Sequence, residues 1–284
     1  MKMGDNDLVA SSYRLAHDLQ VQTKDDLLLV VTGAGVSHAS GIPTFRGNDV
    51  HAIWKKDVTE LGTRRYFEAD PVGSWRWYRS RFAKTHGAQP NDAHVALAEL
   101  EQRQTGRGQF LLVTQNIDGL HRAAGSKRVI EVHGRGDRVR CPTDGCPNAA
   151  PSGSIPRDLA AEEAFDANPC EATLPRCPEC RAILRQHVLW FDEAYQEHDD
   201  YAFDLVAQAS RLATAVWFIG TSLSVGITEL VVRDALTRGR PVLVIDPHAN
   251  MDLPLEIDVF AVKAEEALPA AVKVVDTLRA CPPT

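Results

Sequence analysis

No stretch of the 284-residue chain approaches the roughly 20 consecutive apolar residues that a membrane helix needs, which excludes a helical membrane span. A cationic surplus is missing as well. There are 31 Lys and Arg against 38 Asp and Glu, a net charge of −7, so a nucleic-acid backbone is not an expected partner. A basic protein substrate is not excluded by that balance. The opening segment MKMGDNDLVASSYRLAHDLQ carries acids where a secretory leader has a basic and then an apolar stretch, which predicts a cytoplasmic protein. Internal repeats and low-complexity tracts are absent. Cysteine is scarce, six in all, yet five fall within the 40 residues from Cys141 to Cys180. In a reducing compartment such a cluster points to metal, not to disulfides.

What is present is a soluble-type composition, 44% hydrophobic and 24% charged, of a length that suits one large domain with an insertion. Apolar residues near helical spacing predict a first helix ending about Gln20. Leu27–Val31, Phe110–Thr114, Val129–Val132, Ala215–Gly220 and Pro241–Ile245 are short apolar runs, the form taken by strands buried on both faces of a parallel sheet. Amphipathic segments at Asp92–Gln102, with Asp92 as N-cap, and at Thr228–Thr237 alternate with them. The expected fold is therefore α/β, a Rossmann-like doubly wound parallel sheet. Two segments interrupt it. One is rich in Trp, Tyr, Phe and Arg, and the other holds the paired cysteines. The expected division is a large domain of residues 1–45, 91–138 and 183–284 and a small domain of residues 46–90 and 139–182. The ligand cleft is expected between them.

Several segments carry chemistry. Gly33-Ala34-Gly35-Val36-Ser37 leaves a buried strand and leads into a helix, a place where backbone can approach a pyrophosphate. It is not the G-x-G-x-x-G fingerprint, because Gly41 comes too late, and a plain tight turn is the competing reading. Phe45 and Arg46 follow on a Gly/Pro-punctuated loop suited to ligand contact. Gln115-Asn116-Ile117-Asp118 stands at the carboxyl end of a strand, where an amide and a carboxylate face the cleft. Asn and Asp at such places also simply cap helices. His133 follows another strand and is a candidate general base. His121 reads as a helix-surface or positioning residue, and His17, His51, His86 and His198 as ordinary exposed histidines. Cys141-x4-Cys146 and Cys177-x2-Cys180 form two knuckles that suit one closed tetrahedral zinc site, with Cys170 as an alternative ligand.

GAGVSHASGIPTFRG, TQNIDGLHRAAGS, EVHG, the paired cysteines, HVLWFDE and GTS stand in the order found in sirtuins. From about Asp26 to Pro269 the chain resembles that family of NAD-dependent protein deacylases. The resemblance implies that Gly33, Ala34, Gly35 and Ser37 hold the diphosphate and ribose of NAD, and that Phe45 and Arg46 screen its nicotinamide end. It implies that Gln115, Asn116, Ile117 and Asp118 bind the nicotinamide ribose and carboxamide. Gly220, Thr221 and Ser222 match a second phosphate and ribose contact, Asp246 stands where Asn is usual beside the adenosine ribose, and Ala264 lies near the adenine. The catalytic set implied is His133, Asn116 and Asp118. NAD would be a co-substrate and the zinc structural.

The implied reaction transfers an acyl group from a protein lysine to ADP-ribose and releases nicotinamide. His133 takes a proton from a ribose hydroxyl after nicotinamide has left. Val188 and Phe191 match residues that clasp the acyl-lysine stem. The stretch WRWYRSRFAKTHGAQPNDAH is similar to class III sirtuins, where a Tyr-x-x-Arg pair binds succinyl, malonyl or glutaryl carboxylates. Tyr78 and Arg81 take those places, and Thr44 agrees with that class. The competing reading puts Arg81, Arg76 and Arg79 on a solvated helix face. Departures from the pattern are Gln186 for Pro, Asp192 for Gly, Asp246 for Asn and no Pro near Gly226. Asp192 is expected to weaken peptide docking. Rival functions are ADP-ribosyl transfer to protein, NAD hydrolysis, and a non-catalytic NAD-sensing module.

Overall fold

The structure is a computed structural model that describes residues 3–43, 58–85, 87–223, 226–249 and 253–280. Its strands are β1 (Leu27–Thr32), β2 (Gln109–Thr114), β3 (Val129–Glu131), β4 (Gly134–Arg140), β5 (Ile155–Pro156), β6 (Arg185–Val188), β7 (Ala215–Ile219), β8 (Val242–Ile245) and β9 (Ile257–Phe260). Its α-helices are α1 (Met3–Gln20), α2 (Val58–Leu61), α3 (Arg64–Ala69), α4 (Pro71–Thr85), α5 (Asp92–Gln104), α6 (Leu120–Ala123), α7 (Leu159–Ala167), α8 (Phe203–Leu212), α9 (Gly226–Thr237) and α10 (Ala264–Ala280). No helix among the described residues is long and apolar enough to cross a membrane.

Six strands form one parallel sheet in the order β3-β2-β1-β7-β8-β9. The five expected strands are all in it. The sixth, β9, escapes a search for apolar runs because it is a four-residue edge strand interrupted by Asp258. Strand periodicity of two sends neighbouring side chains to opposite faces. Leu28, Val30, Trp217, Ile219, Leu243 and Ile245 pack on one face with α1, α5 and α10. Leu29, Val31, Val216, Phe218, Val242 and Val244 pack on the other with α8 and α9. Both faces are covered, so the runs are continuously apolar.

The chain builds β1, β2 and β3 outward on one side, then returns to lay β7, β8 and β9 on the other. Strand order reverses at β1 and β7, and loops leaving adjacent strands in opposite directions open a crevice at their carboxyl ends. A second, three-stranded sheet, β5-β4-β6, is antiparallel and leaves β6 at an edge. A third apolar cluster joins Phe67, Trp75, Trp77 and Tyr78 of the aromatic segment to Cys141, Phe165, Leu174 and Cys177 of the cysteine segment, with Trp190 beside them.

Three local details refine or correct the expectation. The helix expected after the β1 turn is a 3-10 helix, Ala34–Ser40. The N-cap of α5 is Asn91, whose side chain accepts from Ala93 N at 2.9 Å, and Asp92 is the first helical residue. The cysteine segment, though poor in periodicity, contains α7, capped by Asp158, whose carboxylate accepts from Ala161 N at 3.1 Å.

Candidate active site

The crevice is lined by loops that follow β1, β2, β3 and β7. The β1 and β7 loops interlock through backbone alone. Gly35 N donates to Gly220 O at 2.9 Å, and Gly33 N to Ile219 O at 3.3 Å. A Cβ at Gly35 would lie 2.7 Å from Gly220 Cα, and one at Gly33 would lie 2.9 Å from Gly220 O. Gly220 itself has φ +59, and its Cβ would stand 2.4 Å from Val36 N. These three glycines are required by loop-to-loop contact, a reason that inspecting one motif at a time does not reveal.

Polar side chains then tie in the β2 loop. Asn116 Nδ2 donates to Gly33 O and to Ser37 Oγ, both at 3.0 Å. Ser37 Oγ donates to Asp118 Oδ2 at 2.7 Å. Gln115 Nε2 donates to Thr32 O at 3.3 Å and to Thr221 Oγ1 at 3.1 Å. Ile117 O accepts from Gly136 N at 2.8 Å, which anchors the loop to β4. The structure thus brings together Gly33, Gly35, Ser37, Gln115, Asn116, Asp118, Gly220 and Thr221. Ala34 is half-buried within the same turn, and Ser222 is exposed just beyond it. Phe45 and Arg46, with Thr44, lie outside the described residues.

One atom in this network is left over. Asn116 is 5% exposed, and its Oδ1 has no hydrogen-bond partner among the described residues. A buried acceptor in that state is destabilising by about 1–3 kcal/mol, which a bound hydroxyl or amide donor would offset.

His133 stands at the end of β3. Its Nδ1 is 3.1 Å from Gln115 O, and its Nε2 is 2.8 Å from the Tyr195 hydroxyl. Burial pushes the ring down to about 4 against a smaller opposing effect of the Gln115 carbonyl, so it is neutral at neutral pH. Tyr195 has no counterpart in a motif read from the strand ends, and only its proximity in space identifies it. His121 is buried, not on a helix surface, and pairs with Thr32 Oγ1 at 2.9 Å. His198 is also buried, in contrast to the exposed place expected of it, between Arg140 and Glu193. His51 and His86 lie outside the described residues.

The HVLWFDE segment, residues 187–193, is clamped from both sides. Leu189 N donates to His133 O at 2.9 Å, and Phe191 N to Gly62 O at 3.0 Å. Val188 is half-buried opposite Gly134, and Phe191 is 57% exposed. Asp192 has a structural role that sequence comparison misses: its carboxylate accepts from Arg64 N at 2.7 Å and Arg65 N at 3.1 Å, which satisfies free donors in the first turn of α3. Glu193 lies beneath, bonded to Trp190 N at 3.0 Å and paired with Arg185, whose guanidinium stacks 3.4 Å over the Trp190 ring.

Helix α4 does not present a uniform solvated face. Arg79 pairs with Glu162 and Asp166 of α7, and Arg76 donates to Pro169 O at 3.1 Å. Arg81 instead lies half-buried with its guanidinium 3.6 Å over the Trp77 ring. Tyr78 is 5% exposed and meets Trp77 edge-on at 4.7 Å. Asp246 is half-buried, its Oδ1 accepting from His248 N at 2.8 Å, and Ala264 is buried where α10 begins.

The four sulfurs of Cys141, Cys146, Cys177 and Cys180 lie within 4.8 Å of one another. Two pairs, Cys141–Cys180 and Cys146–Cys177, are at 3.4 and 3.7 Å. A tetrahedral zinc with bonds of about 2.3 Å spaces its sulfurs by about 3.8 Å, so the donor set fits. Cys170 is outside the group and contacts Thr173 Oγ1 at 3.6 Å, so it is not the replacement ligand. His133 and Cys141 flank opposite ends of β4, which at strand rise separates them by roughly 20–25 Å.

A family model described as "Sir2 family" matches residues 33–226. The chain is 36% identical to an NAD-dependent protein deacylase of Pyrococcus furiosus over 256 residues, 89% of this chain and 95% of that protein. It is 38% identical to one from Thermus thermophilus over 228 residues, 80% of this chain and 81% of that protein. Among solved structures, a Sir2 homologue–NAD complex aligns with a TM-score of 0.74 at 32% identity, covering 93% of this chain and 94% of that one. A mutant Sir2 homologue bound to ADP-ribose aligns at 0.77 and 32%, covering 95% and 99%.

Proposed function

The chain belongs to the Sir2 family, and from that membership we propose how its own residues act in an NAD-dependent protein-lysine deacylase. NAD is the co-substrate, and when bound it supplies the ribose carbon that accepts the acyl group. Gly33, Ala34, Gly35, Ser37, Gly220, Thr221 and Ser222 hold its phosphates and a ribose, with Asp246 and Ala264 at the adenosine end and Phe45 and Arg46 over the nicotinamide. Asn116 Oδ1, a buried acceptor with no partner among the described residues, carries this assignment, because a bound ligand would bring it a donor. Gln115, Ile117 and Asp118 shape the same pocket. His133 is the base, neutral and held in one tautomer by the Gln115 carbonyl.

Protein lysines bearing an acyl group are the second substrate. An extended peptide adds to the free edge of β6, and Val188 and the exposed Phe191 enclose the lysine stem. Tyr78 and Arg81 select acidic acyl groups, since a guanidinium fork pairs with a carboxylate through two hydrogen bonds. Cys141, Cys146, Cys177 and Cys180 hold a structural zinc remote from the reaction. Residues 46–90 and 139–182 form the small domain, a division supported by the third apolar cluster, which joins those two segments and extends to Leu184 and Trp190. A cluster of four cysteines arranged for metal and not for disulfides suits a reducing compartment, the cytoplasm.

The test is incubation with NAD and acetyl-, succinyl- and glutaryl-lysine peptides, read by mass spectrometry. The expected products are nicotinamide, free lysine peptide and O-acyl-ADP-ribose. Arg81→Met is expected to reduce removal of succinyl and glutaryl groups far more than removal of acetyl, and an equal effect on all three would remove the acidic-acyl assignment. Nicotinamide released without peptide deacylation would favour NAD hydrolysis or ADP-ribosyl transfer instead.

A further inference from the structure

We propose that Tyr195 is a second catalytic residue, which relays the proton of a sugar hydroxyl to His133. The proposal rests on His133 being the base. Gln115 O can only accept, so His133 Nδ1 carries the ring proton in the 3.1 Å contact between them. The neutral ring then has one bare nitrogen, Nε2, with one lone pair. The Tyr195 hydroxyl, 2.8 Å away, donates to it. The acceptor site of the base is therefore filled by this chain's own phenol.

A hydroxyl arriving at His133 has two routes. It displaces Tyr195, or it hands its proton to the phenol oxygen, which still has an unused lone pair. Displacement is opposed by the setting of the ring. Tyr195 stacks on Phe203 with centroids 4.6 Å apart and planes 17° apart, and on His133 at 5.8 Å and 26°. Its short helical turn, Tyr195–Glu197, is closed by Glu197 Oε1 accepting from Ala194 N at 3.0 Å, and Glu197 is tied to Arg64 at 2.7 Å. Burial raises the Tyr195 hydroxyl above the usual phenol range, so it stays protonated and acts as a conduit without standing as a phenolate.

The relay balances. The sugar O–H breaks as a new O–H forms on Tyr195, whose own O–H breaks as N–H forms at His133 Nε2. Tyr195 ends neutral, His133 ends with a single positive charge, and the sugar oxygen keeps the electron pair with which it attacks the acyl carbon.

Tyr195→Phe keeps both ring contacts and removes only the hydroxyl. Exchange of labelled nicotinamide into NAD precedes the proton transfer and is expected to stay within about twofold of wild type, while peptide deacylation falls about 100-fold, the scale of a general acid–base step. Deacylation that is unchanged or faster in Tyr195→Phe overturns the relay and makes Tyr195 a displaced gate. Should that variant fail to fold, fluorotyrosine at position 195 is expected to change the deacylation rate without changing exchange, and an unchanged rate overturns the relay. His133→Ala separates the two levels: full deacylation there removes the base assignment itself, whereas loss there with a normal Tyr195→Phe removes only the relay.

Discussion

Replacing Gly35 by alanine puts a methyl group where the β1 and β7 loops touch. That carbon would stand 2.7 Å from Gly220 Cα, 2.8 Å from Gly220 O and 2.9 Å from Gly220 C. Ordinary carbon contacts begin near 3.5 Å, so the two loops must part by about 1 Å. All three obstructing atoms are backbone, and no side chain can rotate out of the way. The separation strains the 2.9 Å bond from Gly35 N to Gly220 O and moves Ser37 and Thr221 apart. Overpacking of this kind costs about 1–3 kcal/mol, and the hydrogen bond about 1 more. In a chain of this size that is a fall in Tm of roughly 3–7 °C. A misplacement of about 1 Å at a site commonly lowers the rate about 100-fold. Gly41→Ala is the control. Gly41 has φ +83 but open space for a Cβ, so alanine there carries only the backbone strain of about 1–2 kcal/mol. Thermal denaturation and NAD titration by calorimetry compare the two. Both variants are expected to be destabilised, and Gly35→Ala alone to lose NAD affinity, by at least tenfold. Wild-type NAD affinity in Gly35→Ala would refute the interlocked-loop account.

Further expectations concern acid, metal and the acyl-peptide segment. Burial holds His133 and His94 down to about 4 and His121 well below its ordinary value of 6.5. The unfolded chain then binds more protons than the folded one between pH 6.5 and about 4, so this contribution to stability is whole above 6.5 and is lost as pH falls through that window. Chemical denaturation at pH 7.5, 6 and 5 is expected to show a loss of a few kcal/mol, and a flat profile would contradict neutral burial of these rings. Metal analysis is expected to give one zinc per chain, lost in Cys177→Ala and kept in Cys170→Ala; loss in both would misplace the ligand set. Asp192→Gly is expected to lower stability by about 1 kcal/mol through the uncapped turn of α3, measured by urea denaturation, whereas no change would leave the Asp192 contacts without energetic weight.

The main sheet is legible in the chain because a strand covered on both faces is apolar at every position, as LLLVVT of β1 and AVWFI of β7 show. The residues at its carboxyl ends are legible for the same reason, since Asn116, His133 and Gly220 follow such runs directly. The small sheet is hidden: β4 reads GRGDRVR because its partners satisfy polar and charged side chains, and β5 has two residues. Helix α10 is hidden by Pro269, which stands inside it beyond the first turn, where a proline ordinarily breaks a helical pattern. Neither the Tyr195 contact with His133 nor the meeting of Gly35 with Gly220 leaves a local mark, because each joins segments more than 60 residues apart. Asp192 looks like a misfit beside an expected peptide and is in fact a cap for α3, a distinction that needed the position of Arg64.

The central claim is that a neutral His133 receives the proton that lets the sugar oxygen attack the acyl carbon. The most direct measurement follows nicotinamide exchange and lysine release together, in one reaction, for wild type and His133→Ala. Exchange within severalfold of wild type with lysine release reduced by about 100- to 10,000-fold is the expected result. Parallel loss of both, or loss of neither, would contradict it.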